Sequence, residues 1–149
     1  MAVVAGRGYE QVGSLESGGA MTDEEYDAFC QALPATTFVV QWGGSHVWKV
    51  GGKVFAMAHW DDHEARVTFK VSPIAYEMLQ ARPGLRPAPY LASRGLKWIQ
   101  HYQKPGLPDV ELREYIRQSH AIVSQGLTRK KRAETGLDIS RKEIEPDHY

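Results

Sequence analysis

The sequence feature that most constrains the fold is a glycine pair near the middle of the chain. Two short stretches rich in apolar residues, 47–50 and 53–59, are separated only by Gly51 and Gly52. Primed two-residue turns need positive φ at their central positions, and glycine adopts positive φ without steric cost. The pair therefore predicts a tight β-hairpin that joins two antiparallel strands.

The first helix is predicted from its N-terminal cap. Thr22 and Glu25 form a Thr-x-x-Glu capping box. Four apolar residues follow at helical spacing and form one stripe: Tyr26, Phe29, Cys30 and Leu33. We expect the helix to stop at Pro34, because proline cannot continue it. We also expect Cys30, which lies on the stripe, to be a small buried apolar side chain and not a nucleophile.

The remaining elements follow from alternation, capping residues and prolines. Helix starts are predicted at Ser72-Pro73, at Pro108-Asp109 and at Thr128. Further strands are predicted at residues 36–41, 66–71, 88–91 (an edge strand) and 96–103. Strands joined by short turns favour antiparallel pairing. The fold class is therefore α+β: a two-layer α/β sandwich with an antiparallel sheet of about five strands and helices packed on one face.

The charge of the chain is informative only when it is resolved along the sequence. The net charge is zero, yet residues 21–133 carry 15 Lys and Arg against 11 Asp and Glu. Residues 78–108 contain no acid at all. This strip instead interleaves five basic residues with three aromatic ones: Arg82, Arg86, Arg94, Lys97 and Lys104, with Tyr90, Trp98 and Tyr102. Such a pattern favours contact with a polyanion, because cations meet phosphates and aromatic rings stack on bases.

Composition indicates the cellular location of the protein and the limits of its domain. One cysteine excludes an internal disulfide and a multi-cysteine zinc site. No apolar run approaches the roughly 20 residues of a membrane span, and no secretory signal is apparent, so we expect a cytoplasmic protein without a membrane partner. Residues 1–20 are predicted to be a disordered leader, residues 21–136 a single domain, and residues 137–149 a flexible charged tail.

Several motifs together resemble the MmcQ/YjbR-like family. They are Cys30-Gln-Ala-Leu33-Pro34, the hairpin from Val47 to Ala56, Phe69-Lys70-Val-Ser-Pro73, Pro89-Tyr90-Leu91, Lys97-Trp98-Ile99, and Ser119-His-x-Ile-Val followed by Leu127-Thr-Arg-Lys-Lys-Arg-Ala133. The resemblance covers about residues 22–136. It implies a frataxin-like (CyaY-like) sandwich and a role in DNA binding.

The sequence hypothesis is a non-enzymatic DNA-binding protein that contacts phosphates through its sheet, hairpin and basic strip. The candidate nucleic-acid-binding residues are Lys49, Lys53, Lys70, Arg86, Tyr90, Arg94, Lys97, Trp98, Arg129, Lys130 and Lys131. Two plainer interpretations stay open: the charges form a solvated face, and Trp98 belongs to the core.

The alternative hypothesis is a protein-interaction or small-ligand module that uses the same sheet face, with Trp48, Trp60 and Trp98 lining a pocket. Binding that falls steeply with salt favours nucleic acid, whereas saturable, salt-insensitive binding favours the module. No cofactor motif is present, and the ligand-like stretch 59–64 lies at an expected turn. We therefore expect no catalytic residues, no metal and no cofactor. The sequence does not reveal the oligomeric state.

Overall fold

The computed structural model describes residues 21–61 and 64–137. The predicted leader at 1–20, and the tail beyond Leu137, lie outside the described residues. In chain order the elements are α1 (Asp23–Gln31), β1 (Thr36–Gln41), β2 (Ser45–Val50), β3 (Lys53–Asp61), β4 (Glu64–Lys70), α2 (Pro73–Leu79), β5 (Leu85–Pro87), a 3₁₀ turn (Ala92–Arg94), β6 (Trp98–His101), α3 (Asp109–Gln125) and α4 (Arg129–Thr135).

The described strands form one six-stranded sheet in the order β1-β2-β3-β4-β6-β5, and every neighbouring pair is antiparallel. Helix α3 packs on β2, β3 and β4, α1 packs on β1 and β2, and α2 packs against β5 and β6. The main hydrophobic core joins strand residues such as Phe55 and Phe69 to helix residues such as Tyr26 and Ile116. The α+β fold class, with about five strands, is confirmed.

The capping box of α1 forms as predicted. The Glu25 amide donates to Thr22 Oγ1 at 3.1 Å, and the Thr22 amide donates to Glu25 Oε1 at 3.0 Å. Cys30 is completely buried in the core. Burial raises the pKa of its thiol above the ordinary value, so the reactive thiolate is disfavoured. The prediction of a buried, apolar cysteine is confirmed.

The glycine pair forms the predicted primed turn, with φ of +59° at Gly51 and +82° at Gly52. The tip of the hairpin is packed and not free. A Cβ atom added at Gly51 would lie 2.6 Å from Leu127 Cδ1 and 3.1 Å from Lys131 Cγ, whereas one at Gly52 would meet nothing within 4 Å. The β2–β3 hairpin and the start of α4 therefore form one unit.

Helix α3 is pinned to the sheet by a buried serine. Ser119 Oγ donates to the Phe55 carbonyl at 2.6 Å and accepts from the Lys70 amide at 2.9 Å. The neighbouring His120 donates from Nε2 to the Pro34 carbonyl at 2.7 Å, since a carbonyl oxygen only accepts. Ser119 and His120 thus serve the packing of α3.

Two predicted strand boundaries are wrong. The edge strand is Leu85–Pro87, not 88–91, because Pro89 has no amide hydrogen and Tyr90 has a positive φ of 71°. Strand β6 is shorter than predicted and covers only Trp98–His101. At the end of the described residues, Leu137 is buried and joins the core.

Candidate nucleic-acid interface

One face of the sheet is free of helices over its centre. Because successive side chains of a strand alternate between faces, the strand register identifies the residues on this open face. Its central row crosses the sheet from β1 to β5 and consists of Val39, Val47, Met57, Thr68, Gln100 and Arg86. The loop between β5 and β6 folds over one end of this face.

A groove of about 410 Å³ lies over this row, and we call it the open-face groove. Its lining residues are Trp42, Met57, Thr68, Ala88, Pro89, Tyr90, Leu91 and Gln100. Trp42 follows β1, and Tyr90 belongs to the β5–β6 loop at the opposite edge of the sheet. An adjoining hollow extends the groove past Trp42 towards His59 and Arg66.

The two aromatic residues of the groove share an unusual backbone conformation. Trp42 has a φ of +53° and Tyr90 a φ of +71°, although neither is glycine. Their side chains are 60% and 71% exposed, so core packing does not explain them. In both cases a serine three residues later hydrogen-bonds to the carbonyl of the strained residue, Ser45 at 3.4 Å and Ser93 at 2.7 Å. Strain of this kind concentrates at functional sites.

A hydrogen-bonded chain forms part of the groove floor. Arg86 donates to Gln100 Oε1 from Nε at 2.9 Å and from Nη2 at 2.7 Å. Gln100 Nε2 in turn donates to Thr68 Oγ1 at 3.3 Å. The guanidinium of Arg86 also lies 4.2 Å from the centre of the Tyr102 ring. Arg86, a predicted phosphate contact, is thus half-buried on the open face and bonded to Gln100, whose amide it orients.

Most of the other predicted cations gather at the end of the sheet marked by the Gly51-Gly52 turn. Lys49 pairs with Val54 beside the turn, Lys70 pairs with Trp98 in β6, and the Lys97 carbonyl accepts from the Val71 amide at 3.0 Å. Helix α4 packs on the same turn. We call this group the basic end, and it consists of Lys49, Lys53, Lys70, Lys97, Arg129, Lys130 and Lys131.

The cations of the basic end are largely uncompensated. Lys131 lies 3.6 Å from Glu134, and the other members form no ion pair with an acid in the described parts of the chain. Arg132, in the same basic run, instead donates to the Leu127 and Gln125 carbonyls at the end of α3, at 2.8 and 3.3 Å. The run Arg129–Arg132 therefore divides into outward charges and one structural arginine.

The tryptophans proposed for a pocket do not line the open-face groove. Trp48 is buried and donates to Asp27 Oδ1 at 2.9 Å, and Trp60 donates to the Met21 carbonyl at 3.0 Å. Both contacts are on the helix side of the sheet. Trp98 is only 8% exposed. Trp42 was not among the predicted site residues, although a tryptophan followed by Gly43 and Gly44 after a strand signals an aromatic residue at a turn.

The metal-like stretch is only partly described. His59 Nε2 lies 3.1 Å from Asp61 Oδ1, and Asp62 and His63 lie outside the described residues. Within residues 21–61 and 64–137, no group of three His, Cys, Asp or Glu side chains is arranged to hold a metal ion. None of the helices in those ranges combines the length and apolar character that crossing a membrane requires.

Comparison with known proteins agrees with the motifs. The YjbR family model matches residues 31–122. The crystal structure of the Deinococcus radiodurans protein DR2400, a DUF419 domain, is similar with a TM-score of 0.68 and 27% identity over 78% of this chain and 89% of that chain. A search of curated proteins finds no match. The chain belongs to the YjbR family.

Proposed function

We propose that this protein binds nucleic acid, DNA in the first instance, without catalysing a reaction. The observation that carries the proposal is the juxtaposition of an uncompensated basic end with a groove that exposes two aromatic side chains. Phosphates supply most of the affinity of such proteins, and bases supply contacts with aromatic faces. A cytoplasmic location, proposed from the sequence, is compatible with such a partner.

The basic end suits a phosphate backbone. Lys53, Arg129 and Lys130 are exposed, and the close packing of Leu127 and Lys131 on Gly51 joins the hairpin to α4. A surface that presents several cations in fixed positions releases counterions when it meets a polyanion, and affinity then falls steeply with salt. The cations therefore supply an attraction that is independent of base sequence.

The open face continues this surface. Lys70 lies at the basic end of β4, and Arg66 lies on the same face two positions beyond Thr68 towards the strand start. Arg94 lies over the Tyr90 ring at 5.7 Å, so one cation accompanies the exposed aromatic residue. No described helix covers the open face, so contacts there come from the sheet and its loops and not from a recognition helix.

The test is a fluorescence-anisotropy titration of the full chain with single-stranded and double-stranded oligonucleotides at about 50 and 200 mM salt. We expect saturable binding that weakens at the higher salt concentration, without cleavage or modification of the oligonucleotide. Absence of binding to both substrates at the lower concentration would overturn the proposal.

A second function, binding of a small planar ligand, is favoured by the shape of the open-face groove. Its volume of about 410 Å³ lies within the usual range for small-molecule sites. Met57, Pro89 and Leu91 give it an apolar wall. This function predicts binding that is unchanged by salt and unaffected by removing the cations of the basic end.

A further inference from the structure

We infer that the open-face groove binds one unstacked base of a single-stranded nucleic acid and favours bases with a ring carbonyl over adenine, which has none. The inference rests on the proposed function and specifies the ligand of the same site. Three features carry it: the exposed aromatic pair, the hydrogen-bond donors of the floor, and the size of the groove.

The aromatic pair favours a base that has left its stack. Trp42 and Tyr90 line one groove from opposite edges of the sheet, and both are more than half exposed. In a duplex the faces of each base are covered by its neighbours, so aromatic side chains stack only on bases of single strands, loops or ends. The left-handed backbone at both residues holds the rings at the groove.

The polar part of the floor is biased towards donors. Arg86 has only N–H donors, so the atom of Gln100 that meets it must be the amide oxygen. The amide nitrogen of Gln100 donates one hydrogen to Thr68 Oγ1, and its second hydrogen has no acceptor among the described residues. The hydroxyl hydrogen of Thr68 is likewise unused among the described residues. A base carbonyl accepts from such donors. Adenine offers only ring nitrogens as acceptors, and on its Watson–Crick and Hoogsteen edges each acceptor stands beside the amino group, a donor that the donors of the floor cannot pair with.

The size of the groove fits one nucleoside. About 410 Å³ is towards the lower end of the range for small-molecule sites. Longer contact with the strand must therefore come from the surface outside the groove, where Lys70 and Arg94 lie. Thymine and uracil present the same ring carbonyls, so the chemistry of the groove does not distinguish DNA from RNA. The experiment therefore compares thymidine oligomers with uridine oligomers.

The experiment measures affinity for labelled oligomers of thymidine, uridine and deoxyadenosine of equal length, and for a duplex, at about 50 mM salt. Trp42→Ala should lower single-strand affinity roughly 5- to 150-fold, the effect of losing one stacked base, and leave duplex affinity unchanged. Phe38→Ala is the matched control, because Phe38 is an exposed aromatic residue of β1 on the other face of the sheet. It should change neither affinity.

The Gln100→Glu variant tests whether the hydrogen-bond donors of the groove floor set the base preference. The carboxylate keeps the contact with Arg86 but has no N–H, so the preference for thymidine over deoxyadenosine should fall roughly 3- to 10-fold. Adenine runs stack on themselves, so the preference is compared between wild type and variant and not taken alone. Melting curves of each variant verify the fold.

The outcomes separate the two proposals. If Trp42→Ala lowers single-strand and duplex affinity equally, or Gln100→Glu leaves the preference unchanged, the base site is wrong while nucleic-acid binding stands. If the wild-type protein binds no oligomer, the proposed function itself is overturned.

Discussion

The open-face groove and the basic end lie on one sheet but differ in how their side chains are held. In the groove, the polar side chains of Arg86, Gln100 and Thr68 bond to one another, while two aromatic rings face solvent. At the basic end most of the charged groups lie at the surface instead, and the apolar packing of Leu127 on Gly51 joins the hairpin to α4.

This difference separates two kinds of recognition. Prearranged donors and aromatic faces discriminate among ligands by shape and hydrogen bonding, and they depend little on salt. Exposed cations attract any polyanion, and their contribution is screened by salt. Mutations in the groove should therefore change base preference, whereas mutations at the basic end should change the salt dependence of binding.

The largest expected effect comes from the basic end. Changing Lys53, Arg129 and Lys130 together to Ala should weaken binding to single and double strands alike, by roughly tenfold or more, and make the single-strand salt slope shallower by about 2. Anisotropy across a salt series measures both. The control removes the same charge elsewhere, at Arg82, Lys104 and Arg117, and should have little effect. An equal effect of both triple variants would show that only net charge matters.

A second prediction separates strain from binding in the groove. Tyr90→Gly removes an exposed ring and places glycine at a φ of +71°. Relief of the left-handed conformation, worth about 1–2 kcal/mol, opposes the entropic cost of glycine, so the free energy of unfolding should stay constant or rise slightly. Single-strand affinity should fall several-fold with an unchanged salt slope.

Urea unfolding and anisotropy of the same preparation measure the two quantities for Tyr90→Gly. A clear loss of stability would mean that the ring contributes packing. The groove would then lack the functional strain that we infer.

The third prediction concerns the packing of the Gly51-Gly52 turn against Leu127, which supports the basic end. Gly51→Ala and Gly52→Ala both place alanine at positive φ, which costs about 1–2 kcal/mol. Only the Gly51 variant also meets Leu127, at 2.6 Å, so it should lose about 1–3 kcal/mol more. Urea denaturation gives the difference. Equal losses would contradict the packing of the hairpin tip against the segment before α4.

The smallest expected effect is a pH dependence that acts on stability and not on the interface. Burial lowers the pKa of His101 and of His120. A depressed folded-state pKa means that the unfolded chain binds protons more readily. The stability is therefore complete above the unfolded value of about 6.5 and decreases as the pH falls below it.

Urea unfolding at about pH 7.5 and 5.5 should show this loss, and replacing both buried histidines with Gln should reduce its pH dependence. Binding to the cations of the basic end should not weaken over the same range as long as the protein stays folded. A pH dependence that is unchanged in the double variant would assign it to other groups.

Local sequence signals predicted much of the architecture. The Thr22–Glu25 capping box, the Gly51-Gly52 turn and the buried Cys30 are all present as expected, because each depends on a few neighbouring residues. The edge strand was misplaced, since the positive φ at Tyr90 is imposed by the loop around it. The candidate cations were found by their charge, and most of them do converge.

The role of single residues in the site was harder to predict. Arg86 and Arg94 look equivalent in the basic strip, yet the first is bonded to Gln100 and the second lies over Tyr90. Trp42 and Trp98 are both tryptophans in or beside strands, and only the first is exposed. Tertiary contacts decide these roles: Gln100 is 14 residues from Arg86 along the chain, and it bonds in turn to Thr68, 32 residues away.

The sequence by itself determined the helix caps, the primed turn, the α+β class and the basic character of the domain, because these arise from short-range sterics, hydrogen bonding and composition. Only the tertiary structure decided that the hairpin tip packs against the segment before α4, that Arg86 bonds to Gln100, and that Trp42 and Tyr90 share one groove. The physical reason is register: pairing across six antiparallel strands brings distant residues together and assigns each to one face.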